Sequence, residues 1–147
     1  GVTTQSLTST QRTNLVAKHV NFYETIAGLN LTNQGKVVGN EWIDVVRFRD
    51  WLKTNMQADI LEALANNNKV PFTDAGIAVI AGKIRARLKA GVEIGGLSPS
   101  PAPRVTVPLA SAVSTTDKGT RTLTGVKFDA VLAGAIQAVT ISGTLTN

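Results

Sequence analysis

The sequence of 147 residues contains no cysteine and only one histidine. The absence of cysteine excludes disulfide bonds and thiolate metal sites, and it is typical of intracellular proteins. Aromatic residues make up 5% of the chain, so its core must be mainly aliphatic. No run of about 18 apolar residues occurs, and we therefore expect no membrane insertion. The opening stretch GVTTQSLTST lacks the charged and apolar regions of a signal peptide.

Residues that commonly carry catalysis or bind metals are also scarce. His19 stands near the end of the first expected helix, where a histidine usually interacts with free carbonyl groups, and no triad motif accompanies it. The carboxylates of Glu41, Asp44 and Asp50 are interleaved with arginines, which disfavours a divalent cation site. The stretch GVEIGG lacks the Lys-Ser/Thr pair of a phosphate-binding loop. We expect no enzymatic activity, no catalytic or cofactor-binding residue, no metal and no cofactor.

Apolar and charged residues are nevertheless present in the proportions of a folded domain. Hydrophobic residues make up 43% and charged residues 17% of the chain, so a packed core is feasible. The length suits a single domain spanning residues 1–147. Because the chain does not begin with methionine, we expect it to have been processed or cut from a longer protein, most simply as a fragment of that protein.

Three helices are expected in the first two thirds of the chain. Thr8 and Gln11 have the spacing of a capping box, which predicts a helix ending near His19. Asn40 is placed to cap a long second helix, and Thr73 to cap a third that Gly91 would end. Helical spacing predicts one apolar stripe on each long helix: Val45, Phe48, Leu52, Met56, Ile60, Ala63 and Leu64 on the second, and Ile77, Ile80, Ile84 and Leu88 on the third.

Short strands are expected before and after the long helices. Residues 20–26 alternate and are followed by turn residues, which predicts a small hairpin. Residues 95–103 are rich in Gly, Ser and Pro and are expected to form an internal connector. Residues 126–132 and 138–145 alternate again and predict a C-terminal β-hairpin. The fold class is therefore α+β, with two long helices packed on a small, mostly antiparallel sheet.

The third helix carries a basic run, KIRARLK, without an acidic residue in it. Its cations border the apolar stripe on both sides: Lys83, Arg85, Arg87 and Lys89. Three interpretations remain open, namely a solvated helix face, a docking surface for an acidic protein, and a surface for nucleic acid or membrane. The net charge of +5 is compatible with each of them.

The chain closes with an apolar, alternating stretch that is unusual for a terminus. Val139, Ile141 and Leu145 fall on one face, and burying each would contribute about 1.5–3 kcal/mol. A two-stranded hairpin alone is only marginally stable in water, so more strands are needed, from this chain or from a neighbour. We therefore predict that the last strand enters or extends a sheet shared between subunits.

The order and spacing of several segments resemble the C-terminal part of tail sheath proteins from contractile phages and phage-like elements. The most distinctive are EWIDVVRFRDWL, VPFTDAGI and the closing LAGAIQAVTISGTLT. The resemblance covers nearly the whole chain. It implies a tube-proximal sheath domain whose sheet receives extended arms from neighbouring subunits, so that the sheath stays linked while it contracts and drives the tube through the host envelope.

The resemblance also implies particular partners and residues. The partners would be other sheath subunits in a helical homo-oligomer, the tail tube protein and, as a further possibility, the baseplate. The protein would reside in the virion tail and, during assembly, in the host cytoplasm. The basic residues of the third helix would face the tube, and the inter-subunit strand would comprise Thr140, Ile141, Ser142, Gly143, Thr144, Leu145, Thr146 and Asn147.

A different class of function is the alternative. A basic nucleic-acid-binding module would use Lys83, Arg85, Arg87 and Lys89 to contact phosphates, and its binding would weaken with salt. The sheath hypothesis expects no direct contact with nucleic acid, so a gel shift at low salt distinguishes the two.

Overall fold

The computed structural model describes residues 2–144, which form four α-helices, one short 3₁₀ helix (Ala110–Ala112) and four short strands. The fold is α+β, with two long helices and two small antiparallel sheets, so the fold class expected from the sequence is confirmed. The elements are α1 (Ser9–Ala17), β1 (Phe22–Ile26), β2 (Leu29–Asn33), α2 (Ile43–Ala65), α3 (Asp74–Glu93), β3 (Arg104–Thr106), α4 (Thr115–Gly119) and β4 (Lys127–Asp129). Within residues 2–144, the helices lack the length and apolar content that crossing a membrane requires.

The chain divides into two compact units, and the first, Gly1–Trp51, begins with a helix and a hairpin. The capping box is confirmed, because the Thr8 hydroxyl accepts from the Gln11 amide and the Gln11 side chain accepts from the Thr8 amide. Strands β1 and β2 pair antiparallel, from Phe22 opposite Asn33 to Ile26 opposite Leu29. The two intervening residues both have positive φ, 50° and 81°, as a tight hairpin turn requires.

The start of α2 differs from the sequence prediction. Asn40 does not cap this helix: it has a φ of 63°, and its amide donates to the Val37 carbonyl at 2.8 Å, which closes a turn. Trp42 then forms an isolated bridge with Lys36, and the helix begins at Ile43. A positive φ is incompatible with the extended backbone of an N-cap residue, and the Asn40 side-chain oxygen accepts from Lys36 Nζ at 2.7 Å instead of from a helix amide.

The second unit, Leu52–Asn147, is built around α3. The predicted stripe of α3 is confirmed, since Ile77, Ile80, Ile84 and Leu88 are all buried. The α2 stripe is less complete: buried residues on this helix are Leu52 and Ala63, whereas Leu64 is 52% exposed. Further buried residues of this unit are Ala81, Leu97 and Val113.

The capping residue predicted for the start of α3 is confirmed, whereas the predicted end of the helix is two residues too early. Thr73 caps the helix as predicted, and its hydroxyl accepts from the Gly76 amide at 3.3 Å. Gly91 does not end the helix, which continues to Glu93. The carbonyl of Gly91 instead accepts from the amides of Gly96 and Leu97, both at 3.0 Å, so the chain reverses only after the helix has gained two more residues.

A C-terminal strand pair is present, but its members differ from those that the sequence indicated. Strand β4 pairs antiparallel with β3, with Val105 opposite Phe128. The sequence had paired residues 126–132 with 138–145. An isolated bridge between Leu97 and Leu132 extends this region, and residues 133–144 contain no helix or strand.

Candidate interaction surfaces

The C-terminal arm, defined as residues 133–144, leaves the second unit at a well-anchored point. The Ser98 amide donates to the Val131 carbonyl at 2.8 Å, and the Ala133 amide donates to the Gly96 carbonyl at 3.0 Å. These bonds flank the bridge between Leu97, which is buried, and Leu132. The connector at residues 95–103 therefore holds the base of the arm.

Along the arm, large apolar side chains lie in solvent. Ile136 is 83% exposed, Val139 73% and Ile141 88%. The C-terminal hairpin expected from the alternation is not formed by residues 138–144, because these residues form no strand and are exposed. Leu145, Thr146 and Asn147 lie outside the described residues. The pairing of this segment with another subunit stays a prediction.

An open groove lies beside the β3–β4 pair, at the base of the arm. Its volume is about 590 Å³. Phe128 and Val131 contribute apolar surface to it and are 43% and 47% exposed. Arg104 and Asp129, which face each other across the strand pair, provide charges of opposite sign. The remaining lining residues are Pro101, Ala102 and Ala130.

Two of the four basic residues of α3 are held by acids of α2. Arg87 donates to both carboxylate oxygens of Asp59, from Nε at 2.7 Å and from Nη2 at 2.8 Å. Lys83 contacts Glu62 at 3.0 Å. The hydrogen bonds from Arg87 lower the pKa of Asp59, against an opposing effect of partial burial, and the same pair raises the pKa of Arg87.

Within residues 2–144, the other two basic residues form no ion pair with these acids. Lys89 is close to Glu93 one turn later, at 3.7 Å, but both side chains are largely exposed. Arg85 is exposed, and residues 2–144 contain no ion pair with it. The predicted cationic run is therefore divided in two. Lys83 and Arg87 form ion pairs that link α3 to α2, whereas the charges of Arg85 and Lys89 are exposed to solvent.

The sequence did not reveal this division, because the acids that neutralise Lys83 and Arg87 lie 21 and 28 positions away. The spacing contained a signal: Asp59 and Glu62 are three apart on α2, and Lys83 and Arg87 four apart on α3, so each pair lies on one helix face. The neutralisation leaves less charge for phosphate contacts, and no observation favours the nucleic-acid alternative.

A polar cluster in the first unit was also missed. Glu24, 8% exposed, accepts from Arg12 Nε at 3.3 and 3.2 Å and from Asn33 Nδ2 at 2.6 Å. Arg12 belongs to α1 and the other two residues to the hairpin, so the cluster fastens the helix to the strands. Its role is structural, because every polar atom of the buried carboxylate is accounted for by these partners.

Features of catalytic chemistry are sparse in the part of the chain that the structure describes. His19 has a φ of 55° and its amide donates to the Val16 carbonyl at 3.1 Å, as expected of a residue that ends a helix. Residues 2–144 contain no group of three or more potential metal ligands. The surfaces described above are the candidate sites of interaction in this part of the chain.

Comparison with known proteins found a family match for part of the chain. Residues 43–100 match the model of a family described as E217 tail sheath protein gp31-like, C-terminal domain. No curated protein matches the chain. The matched segment contains α2, α3 and the beginning of the connector, and two of the three motifs singled out in the sequence lie at least mainly within it. The match supports a phage tail sheath C-terminal domain and so confirms the resemblance over residues 43–100; the third motif, LAGAIQAVTISGTLT, lies outside the matched segment.

Proposed function

We propose that this chain, whose residues 43–100 match a tail sheath C-terminal domain, joins neighbouring sheath subunits through shared β-sheets. The family implies a virion component that assembles with other sheath subunits. Within such an assembly the chain would act mechanically, without catalysis. The observation that carries the proposal is the C-terminal arm, which leaves Ile136, Val139 and Ile141 in solvent while the rest of its unit is folded.

The arm supplies what strand exchange needs. Its apolar side chains are exposed in the isolated chain, so the free energy of burying them, about 1.5–3 kcal/mol each, becomes available on assembly. Its backbone is not committed to a helix or strand, and therefore it can form a new ladder of hydrogen bonds. The alternation of Val139 and Ile141 with polar residues would place both on one face of the added strand.

The β3–β4 pair is the proposed acceptor of a neighbour's arm. With only two strands of three residues each, it is far smaller than a sheet that is stable by itself. The adjacent groove exposes Phe128 and Val131, which an incoming apolar strand would cover. The same sheet stands at the base of its own arm, so each subunit would both give and receive a strand on one side of the second unit.

Contact with the tail tube is proposed for the exposed cations of α3. Arg85 and Lys89 are available for an acidic partner surface, while Lys83 and Arg87 would contribute less because they are engaged with α2. Exposed ion pairs are individually weak and sensitive to salt. Such contacts would let the sheath slide along the tube, whereas the shared backbone hydrogen bonds would keep the subunits linked.

Assembly of the full-length protein tests the arm. Deletion of residues 140–147 should abolish sheath polymerisation, because the exchanged strand and its apolar side chains are lost. Negative-stain microscopy and sedimentation of the assembled sheaths would measure the effect. Sheaths that form at normal yield from the deleted protein would overturn the proposal.

Two matched charge substitutions test whether the arm is inserted as a strand with one buried face, or whether any added charge on the arm reduces sheath assembly. Ile141→Asp should reduce sheath yield by tenfold or more, because it places a carboxylate on the face to be buried. Thr140→Asp adds the same charge on the opposite face and should assemble much better. Equal loss from both variants would argue against an inserted strand with one buried face.

A further inference from the structure

We propose that a small apolar pocket at the end of α2 binds an aliphatic side chain that is carried beside a carboxylate on a partner protein, with Arg121 as the counter-ion. The pocket lies entirely in the second unit and has a volume of about 100 Å³. This volume is close to that of one leucine or isoleucine side chain. It is too small for a drug-sized ligand, for which pockets of about 300 Å³ or more are usual.

The walls of the pocket are aliphatic and aromatic. Ile77 and Ile80 of α3 are buried and line it, together with Leu64, Phe72 and Leu123. Val70, Pro71 and Gly76 complete the lining. The apolar surface continues outwards, since Leu64 is 52% exposed and Leu61, one turn earlier on α2, is 67% exposed. An apolar partner group would therefore bury surface both inside the pocket and at its rim.

The shape of the pocket depends on a close approach of the 70–72 segment to α3. A Cβ atom on residue 76 would overlap the Pro71 carbonyl, so only glycine permits this approach. The Pro71 carbonyl accepts from the Thr73 amide at 2.9 Å, and the Thr73 side chain caps α3. The turn is thus fixed by the cap of the helix, and the pocket does not need a ligand in order to form.

Arg121 gives the pocket its charge preference. This residue lines the pocket, is exposed, and forms no ion pair within residues 2–144. Its φ of 56° and the bond from its amide to the Lys118 carbonyl, at 3.2 Å, fix its backbone after α4. The nearby carboxylate of Asp117 accepts from the Thr124 hydroxyl at 2.9 Å and so serves its own loop. A cation beside an aliphatic pocket favours a partner group that combines an apolar side chain with a negative charge.

N-acetyl-leucine is a suitable probe, because it combines an isobutyl group with one carboxylate. Titration of the methyl-labelled chain, followed by NMR, should perturb the signals of Leu64, Ile77 and Leu123, with a dissociation constant in the millimolar range. N-acetyl-leucine amide, which lacks the carboxylate, should bind at least about threefold more weakly. The Arg121→Gln variant should bind the acid no better than the wild-type chain binds the amide.

Arg47→Gln is the matched control, since it removes another exposed arginine that does not line the pocket. This variant should retain the preference for the acid. The proposal is overturned if acid and amide bind the wild type equally, if Arg121→Gln keeps the preference, or if no pocket methyl responds at tens of millimolar probe. A circular dichroism spectrum equal to that of the wild type verifies that each exposed-arginine variant is folded.

Discussion

At the scale of single residues, two glycines of α3 have opposite roles. Gly76 is buried against Pro71, and a Cβ at this position would meet the Pro71 carbonyl. Gly82 is exposed in the middle of the same helix, and a Cβ there would meet nothing within 4 Å. Identical substitutions should therefore change stability in opposite directions.

Gly76→Ala should lower the free energy of unfolding by about 1–3 kcal/mol, because the turn at Pro71 must move to admit a methyl group. Gly82→Ala should raise it by about 0.5–1 kcal/mol, because alanine restricts the unfolded chain and favours the helix. Urea unfolding followed by far-ultraviolet circular dichroism measures both. The steric explanation fails if Gly76→Ala is neutral.

The Asp59–Arg87 pair predicts a specific dependence of stability on pH. The folded-state pKa of Asp59 lies below its ordinary value, so the pair stabilises the fold above that ordinary value and loses its effect as the pH falls. Stability should decline from about pH 5 downwards, and Asp59→Asn should show a smaller decline over this interval. Asp50→Asn, which changes an exposed acid of the same helix, should keep the wild-type slope.

At the scale of elements, α3 carries the core of its unit. Its buried stripe has the spacing of one helix face, and Leu88 is only 1% exposed. The sequence predicted this stripe well because helical spacing alone decides which side chains share a face. It predicted the α2 stripe less well: Leu64 has the correct spacing, but at its position the neighbouring elements leave an open pocket.

Leu88→Ala should destabilise the chain by about 2–5 kcal/mol, since it removes a fully buried side chain and leaves a cavity. Leu61→Ala, at a position on α2 that is 67% exposed, should change stability by less than about 0.5 kcal/mol. Thermal and urea unfolding of the two variants provide the comparison. Similar losses in both would contradict the assignment of the core to α3.

At the scale of the whole molecule, folding and assembly should depend on different parts of the chain. The C-terminal arm is exposed and contains no helix or strand, so it should add little to the stability of the isolated chain. Deletion of residues 134–147 should therefore shift the melting temperature by less than about 2 °C. For a chain of this size, a shift of 5 °C or more corresponds to a loss of more than about 1 kcal/mol in the free energy of unfolding. Such a loss would show that the arm belongs to the fold.

The sequence by itself determined the features that depend on near neighbours along the chain. The capping box at Thr8, the cap at Thr73, the hairpin and the apolar face of α3 each follow from residues within one or two turns. The order of the motifs likewise indicated a tail sheath domain, which the match over residues 43–100 supports.

Only the tertiary structure decided the pairings between distant residues. It joined β4 to β3 rather than to residues 138–144, neutralised Lys83 and Arg87 with acids of α2, and left the arm exposed. The physical reason is that local spacing specifies which face a side chain occupies, whereas the partner of that face depends on how the elements pack. Alternating residues predict a strand equally well whether its hydrogen bonds are made within one chain or between two.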